Sequence, residues 1–82
     1  MTKNLTVYEA LDLALASINS GKKGFIRSSV WPDDYWFEIR QLDNGHIQGF
    51  PNIMPGEKRV APWTEYISLD DISRKDWMFM EI

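Results

Sequence analysis

The sequence predicts an α+β domain, one N-terminal amphipathic helix packed on a mostly antiparallel sheet of about five strands. Three stretches carry this reading. Residues 7–18 repeat their apolar positions with a helical period. Residues 35–42 alternate between two faces and run into Asp43-Asn44-Gly45, a hairpin signal. The tail Trp77-Met78-Phe79-Met80, followed by Ile82, is apolar on both parities, which suits a central strand covered on two sides.

The helix has local signals at both ends. Thr6 and Glu9 have the spacing of a capping box, in which each side chain accepts from the other's backbone N–H. Val7, Ala10, Leu11, Ala14, Leu15 and Ile18 form one stripe, and Gly21 is placed to close the helix in a left-handed cap. Leu13 falls off the stripe and is expected on the surface.

Residues 24–31 are expected to be the first strand, with Ile26, Ser28 and Val30 on one face and Phe25, Arg27, Ser29 and Trp31 on the other. A regular strand would place Arg27 and Trp31 on a shared face roughly 13 Å apart. Pro32-Asp33-Asp34 reads as a turn. Residues 35–42 form the clearest strand, closed by a type I′ turn at Asn44-Gly45, and residues 46–50 return antiparallel. Two prolines and a glycine make residues 51–59 a loop. Short strands are expected at 60–63 and 66–69, and Ser68 to Ser73 reads as a tight turn or one helical turn.

Length and composition narrow the class. At 82 residues there is room for a single domain, which buries only about 60% of its unfolded surface. Cysteine is absent, so dense aromatic packing, with four tryptophans, and self-association are the remaining routes to stability. No apolar run approaches the ~20 residues that cross a bilayer, and the N-terminus lacks a signal-peptide core. A cytoplasmic chain without membrane contact is expected. The net charge of −3, with both signs interspersed, argues against a basic binder of nucleic-acid polymers.

Catalytic signatures are missing. His46 is the sole histidine and stands beside a turn, so neither a Ser-His-Asp arrangement nor a metal site is suggested. Asp33-Asp34 and Asp70-Asp71 are adjacent pairs of the kind that solvate turns. The chain is therefore expected to be neither an enzyme nor dependent on a cofactor. Aromatic residues alternating with arginine are the notable chemistry, since indoles stack on nucleobases and guanidinium forks grip phosphate. Trp77 is expected in the core, Trp31 and Trp63 lie beside turn prolines, and Trp36 is placed to reach a subunit interface.

Taken in order, Glu9-Ala10-Leu11, Gly21-Lys22-Lys23, Arg27 followed by Trp31, Pro62-Trp63, Ser68-Leu69-Asp70-Asp71 and Asp76-Trp77 resemble the small phage proteins that counter Thoeris defence. The resemblance spans nearly the whole chain except residues 35–59. Trp31 stands four residues after Arg27 where the family has three. The resemblance implies a homotetrameric sponge in the bacterial host cytoplasm. Such a protein traps cyclic ADP-ribose-type signals, and cyclic oligonucleotides in some relatives, between subunits without cleaving them. Carried over, Trp31 would stack on the base, Trp63 would form a second wall, Ser68 and Asp71 would accept from ribose or base edges, and Arg27 would face phosphate. The competing expectation is a protein-interaction inhibitor that docks on a host or defence protein through exposed aromatics.

Overall fold

The computed structural model describes residues 1–31, 34–53, 58–59 and 69–82. In chain order they form β1 (Thr2–Leu5), α1 (Val7–Asn19), β2 (Gly24–Ser28), β3 (Tyr35–Gln41), β4 (Ile47–Ile53), β5 (Lys58–Arg59), α2 (Leu69–Ser73) and β6 (Trp77–Glu81). The strands make one sheet in the order β1-β6-β2-β3-β4-β5, antiparallel at every pairing, with α1 packed on it. The predicted α+β class is the one observed. Strands expected at 60–63 and 66–68 lie outside the described residues, and residue 69 opens α2.

Helix α1 begins and ends on its local signals. Thr6 N–H donates to Glu9 Oε1 (2.9 Å) and Glu9 N–H donates to Thr6 Oγ1 (3.1 Å), completing the capping box. The hydrogen bond from the Thr6 backbone first, and then the Thr6 side chain, hold the Glu9 carboxyl below its ordinary range. At the other end Gly21 takes φ +78°; its N–H donates to the Ile18 carbonyl and the Lys22 N–H to that of Ser17. Those two bonds are the pair that defines a Schellman cap.

Small residues bring the helix close to the sheet. A Cβ on Gly24 would stand 2.6 Å from Ala14 Cα, so the first residue of β2 has to be glycine for Ala14, itself fully buried, to rest there. Around this contact Val7, Ala10, Ile26, Ile39, Trp77 and Phe79 close the main core.

Register divides each central strand between two faces. Ile26 lies opposite Phe37 and Phe79, and Ser28 opposite Trp77, all toward α1. Phe25 lies opposite Glu38 and Met80, and Arg27 opposite Met78, on the far face. There Phe25 and Trp36 form a second buried cluster with Met78 and Met80 against it. Trp36, which the sequence leaves open between core and interface, is thus buried within the protomer, only 4% exposed.

Several local expectations are corrected. Strand β1 was invisible because Thr2, Lys3 and Asn4 are exposed and show no apolar alternation; β6 recruits it at two pairings with a register shift and Asn4 at φ +60°. Strand β2 stops at Ser28, because the Ser29 N–H turns to the Asp76 carbonyl and the Trp31 N–H closes a turn onto that of Ser28. The β3–β4 connection is a three-residue loop in which Gly45 N–H donates to the Leu42 carbonyl and Leu42 N–H to that of His46. Gly45 alone takes positive φ there, which makes a type I turn with a bulge glycine instead of the expected type I′ turn. Finally β4 runs on through Pro51 to Ile53, where a loop was expected. Within it Pro51 lies opposite Phe37 of β3, and among the described residues β5 pairs with Asn52 and Ile53. No helix among the described residues is long and apolar enough to cross a membrane.

Candidate functional site

Motifs far apart in sequence meet at the end of the sheet where β2 stops and β6 begins. Ser28 and Ser29 come from the exit of β2, Asp71 from α2, and Arg74 and Asp76 from the link into β6. Asp76 accepts from Ser29 Oγ (2.9 Å), Arg74 Nε (3.1 Å) and Ser28 Oγ (3.3 Å to Oδ2). Arg74 also donates to Ser28 Oγ at 3.1 Å and to the Asp71 carboxylate, a pair at helical i,i+3 spacing.

Trp77 sets the position of α2. Its fully buried indole donates Nε1–H to the Asp71 carbonyl at 2.9 Å, which satisfies a polar group that would otherwise be stranded in the core. Helix α2 has no fully buried residue; Ile72 packs against the main core, and this bond and the Arg74 contacts add to that anchor.

Trp31 lands beside this network. Its half-buried ring meets Trp77 (centroids 5.2 Å), Phe37 (4.7 Å) and Tyr35 (5.6 Å) edge to face, on the side of the sheet that faces α1. Arg27 points to the other side, so the shared face expected for the pair does not form. They meet through the backbone instead: Arg27 Nη2 donates to the Trp31 carbonyl and Nε to the Tyr35 carbonyl (3.3 Å). The guanidinium, 4% exposed, lies over the Trp36 ring at 5.6 Å and touches Met78 Sδ.

Of the five predicted ligand-binding residues, Trp31 and Asp71 are therefore brought to one end of the sheet and Arg27 is tied beneath them. Trp63 and Ser68 lie outside the described residues. Sequence reasoning missed Ser28, Ser29 and Arg74 as partners of this cluster. The Asp71/Arg74 spacing was a legible signal for one of them; the serines needed the register of β2 against β6.

The cluster is electrostatically closed more than it is open. One guanidinium stands between two carboxylates, and the hydroxyls of Ser28 and Ser29 turn to Asp76. Such an arrangement holds a surface rigid and offers acceptor oxygens and an indole edge; it does not resemble a paired acid and base. Elsewhere, no group of three or more histidine, aspartate or glutamate side chains among the described residues is placed to hold a metal ion. Comparison of the chain with family models, curated proteins and solved structures returns no match.

Proposed function

We propose that the chain is a non-catalytic sponge that captures a cyclic nucleotide immune signal, of the cyclic ADP-ribose or cyclic oligonucleotide type, between copies of itself in a bacterial host. The observation that supports it is the convergence of Arg27 and Trp31 with Asp71, Asp76 and Trp77, motif residues forty or more positions apart, at one end of the sheet. In this reading the half-buried Trp31 offers its open side to the base, and Asp71 and Ser68 offer acceptors to ribose. Arg27 acts indirectly, by fixing the Trp31 backbone. Trp63 would contribute the facing wall.

One chain is not enough for tight capture. Nanomolar affinity corresponds to about −12 kcal/mol, whereas a stacked aromatic supplies about 1–3 kcal/mol. Walls from a second copy are required.

Isothermal titration against cyclic ADP-ribose isomers and cyclic di- and trinucleotides tests the proposal. Saturable binding of one member, with the ligand recovered unchanged after heat denaturation, is expected; silence across the panel, or a cleaved ligand, would defeat it.

A second reading, docking on a host or defence protein, is favoured by Val30 and Leu69. Both are apolar, 66% and 84% exposed, and stand at the same end of the sheet. Capture of one stoichiometric protein partner by the full chain, lost in a Val30→Asp/Leu69→Asp variant and accompanied by no heat in the nucleotide titrations, would select it.

A further inference from the structure

The tip of the β3–β4 hairpin carries a chemically reactive dipeptide, Asn44-Gly45, in a stretch where residues 41–48 are all exposed. Asparagine is a labile residue because its side-chain amide is open to attack by the backbone nitrogen that follows. A glycine at that next position has no Cβ to obstruct the approach. The three other asparagines of the chain are worse placed. Asn4 and Asn52 precede the bulky Leu5 and Ile53, and Asn52 is 1% exposed. Asn19 ends α1, where the Ser20 N–H is engaged by the Ala16 and Ser17 carbonyls.

The turn restrains both reacting groups of Asn44-Gly45. The Gly45 N–H, which holds the attacking nitrogen, donates to the Leu42 carbonyl at 2.8 Å. The electrophile is tied as well, because Asn44 Oδ1 accepts from the His46 N–H at 3.0 Å, a side chain bonded to the backbone two residues on. Cyclisation has to break the first bond and swing the carboxamide out of the second. Gly45 at φ +84° and the bond from Leu42 N–H to the His46 carbonyl (2.8 Å) meanwhile keep the loop closed.

We infer that Asn44 is a site of spontaneous deamidation whose rate is set by the folded turn. Gly45 N gives up its proton and bonds to Asn44 Cγ, while the side-chain nitrogen takes up a proton and leaves as ammonia. Water then opens the five-membered imide at either carbonyl and yields aspartate or isoaspartate; nothing is oxidised or reduced. Isoaspartate carries the backbone through the former side chain, so an extra methylene enters before Gly45 and the Leu42–His46 pair loses its spacing. The new carboxylate also stands beside Asp43. The site is at the other end of β3 from Tyr35, the strand's contact with Trp31, and does not depend on the sponge reading.

The test incubates the full chain near neutral pH, folded in buffer and unfolded in concentrated guanidinium chloride, and maps its peptides by mass spectrometry with the aspartate and isoaspartate forms separated. Conversion at Asn44 should run ahead of that at Asn4, Asn19 and Asn52 in both samples. It should be roughly tenfold or more slower in the folded chain, the factor expected from two ordinary hydrogen bonds. Asn44→Gln, whose longer side chain would have to close a larger ring, should remove this conversion and leave the slower ones. Amide exchange gives an independent readout: the Gly45 N–H should be protected in the parent chain and lose that protection in the purified isoaspartate form. Equal rates in the folded and unfolded chain, faster conversion at another asparagine, or an unprotected Gly45 amide in the parent would overturn the assignment.

Discussion

The two faces of the sheet are built from alternate residues of the same strands, yet they solve different problems. Toward α1, Ile26, Ile39, Trp77 and Phe79 meet an alanine-lined helix in an apolar core, and stability there follows shape. On the far face, Phe25, Trp36 and Met78 share their space with Arg27, Glu38 and Asn52, all of which are buried. Stability there depends on each polar group finding its partner. The contrast teaches that Arg27 and Trp31, read from the sequence as ligand chemistry, serve first as internal structure.

The comparison breaks most visibly on the helix side. Trp77→Ala should cost roughly 3–5 kcal/mol, by removing both the core indole and the bond that holds α2. Gly24→Ala should cost roughly 1–3 kcal/mol, because its methyl would collide with Ala14 backbone and not with a movable side chain. Urea denaturation with an unchanged slope and a lowered midpoint would confirm both. A Gly24→Ala midpoint equal to the parent's would mean that α1 sits farther from the sheet.

On the far face Arg27→Met keeps the apolar stem and removes the donors to the Tyr35 and Trp31 carbonyls. A loss of roughly 1–3 kcal/mol is expected in the same urea experiment, from stranded acceptors and not from a cavity. A neutral or stabilised variant would show that this face is governed by shape after all.

Smaller effects belong to the polar cluster at the sheet's end. Arg74→Ala should cost only about 1 kcal/mol, since its side chain is one-third exposed and its ion pairs are screened. Its main effect should be local: faster amide exchange across residues 69–76, with α1 and β3 unchanged. Uniformly faster exchange would contradict a role confined to α2.

The smallest effect is a pH dependence at the end of β6. The Ser17 hydroxyl at 2.6 Å, and then Lys22 at 3.2 Å, hold the Glu81 carboxyl below the ordinary glutamate range. The stabilisation is therefore present above the ordinary glutamate pKa and is lost as pH falls through the lowered folded value. Carboxyl chemical shifts should show Glu81 titrating below a free glutamate, and Ser17→Ala should move its midpoint upward.

How much of this was legible depends on the range of the interaction. The capping box at Thr6 and Glu9, the Gly21 cap and the period of α1 were readable because every partner lies within five residues. The doubly apolar β6 announced its central place by composition. The end of β2 was not readable, because it is set by Asp76, 47 residues on from Ser29. Strand β1 was hidden because, among the described residues, the strand it pairs with is β6, at the other end of the chain. For the candidate site, Trp31 and Asp71 each meet Trp77, one through its ring and one through its carbonyl, whereas Arg27 is on the other face, because β2 stops at Ser28 and does not run regularly to residue 31.

Native mass spectrometry of the chain with whichever cyclic nucleotide gives heat in titration addresses capture between copies in one step, since it reads assembly size, ligand number and ligand mass together. The expected spectrum is an assembly at a multiple of 9.6 kDa carrying intact ligand at fewer than one per chain. A single-chain species, with or without bound nucleotide, would contradict a pocket made by more than one copy.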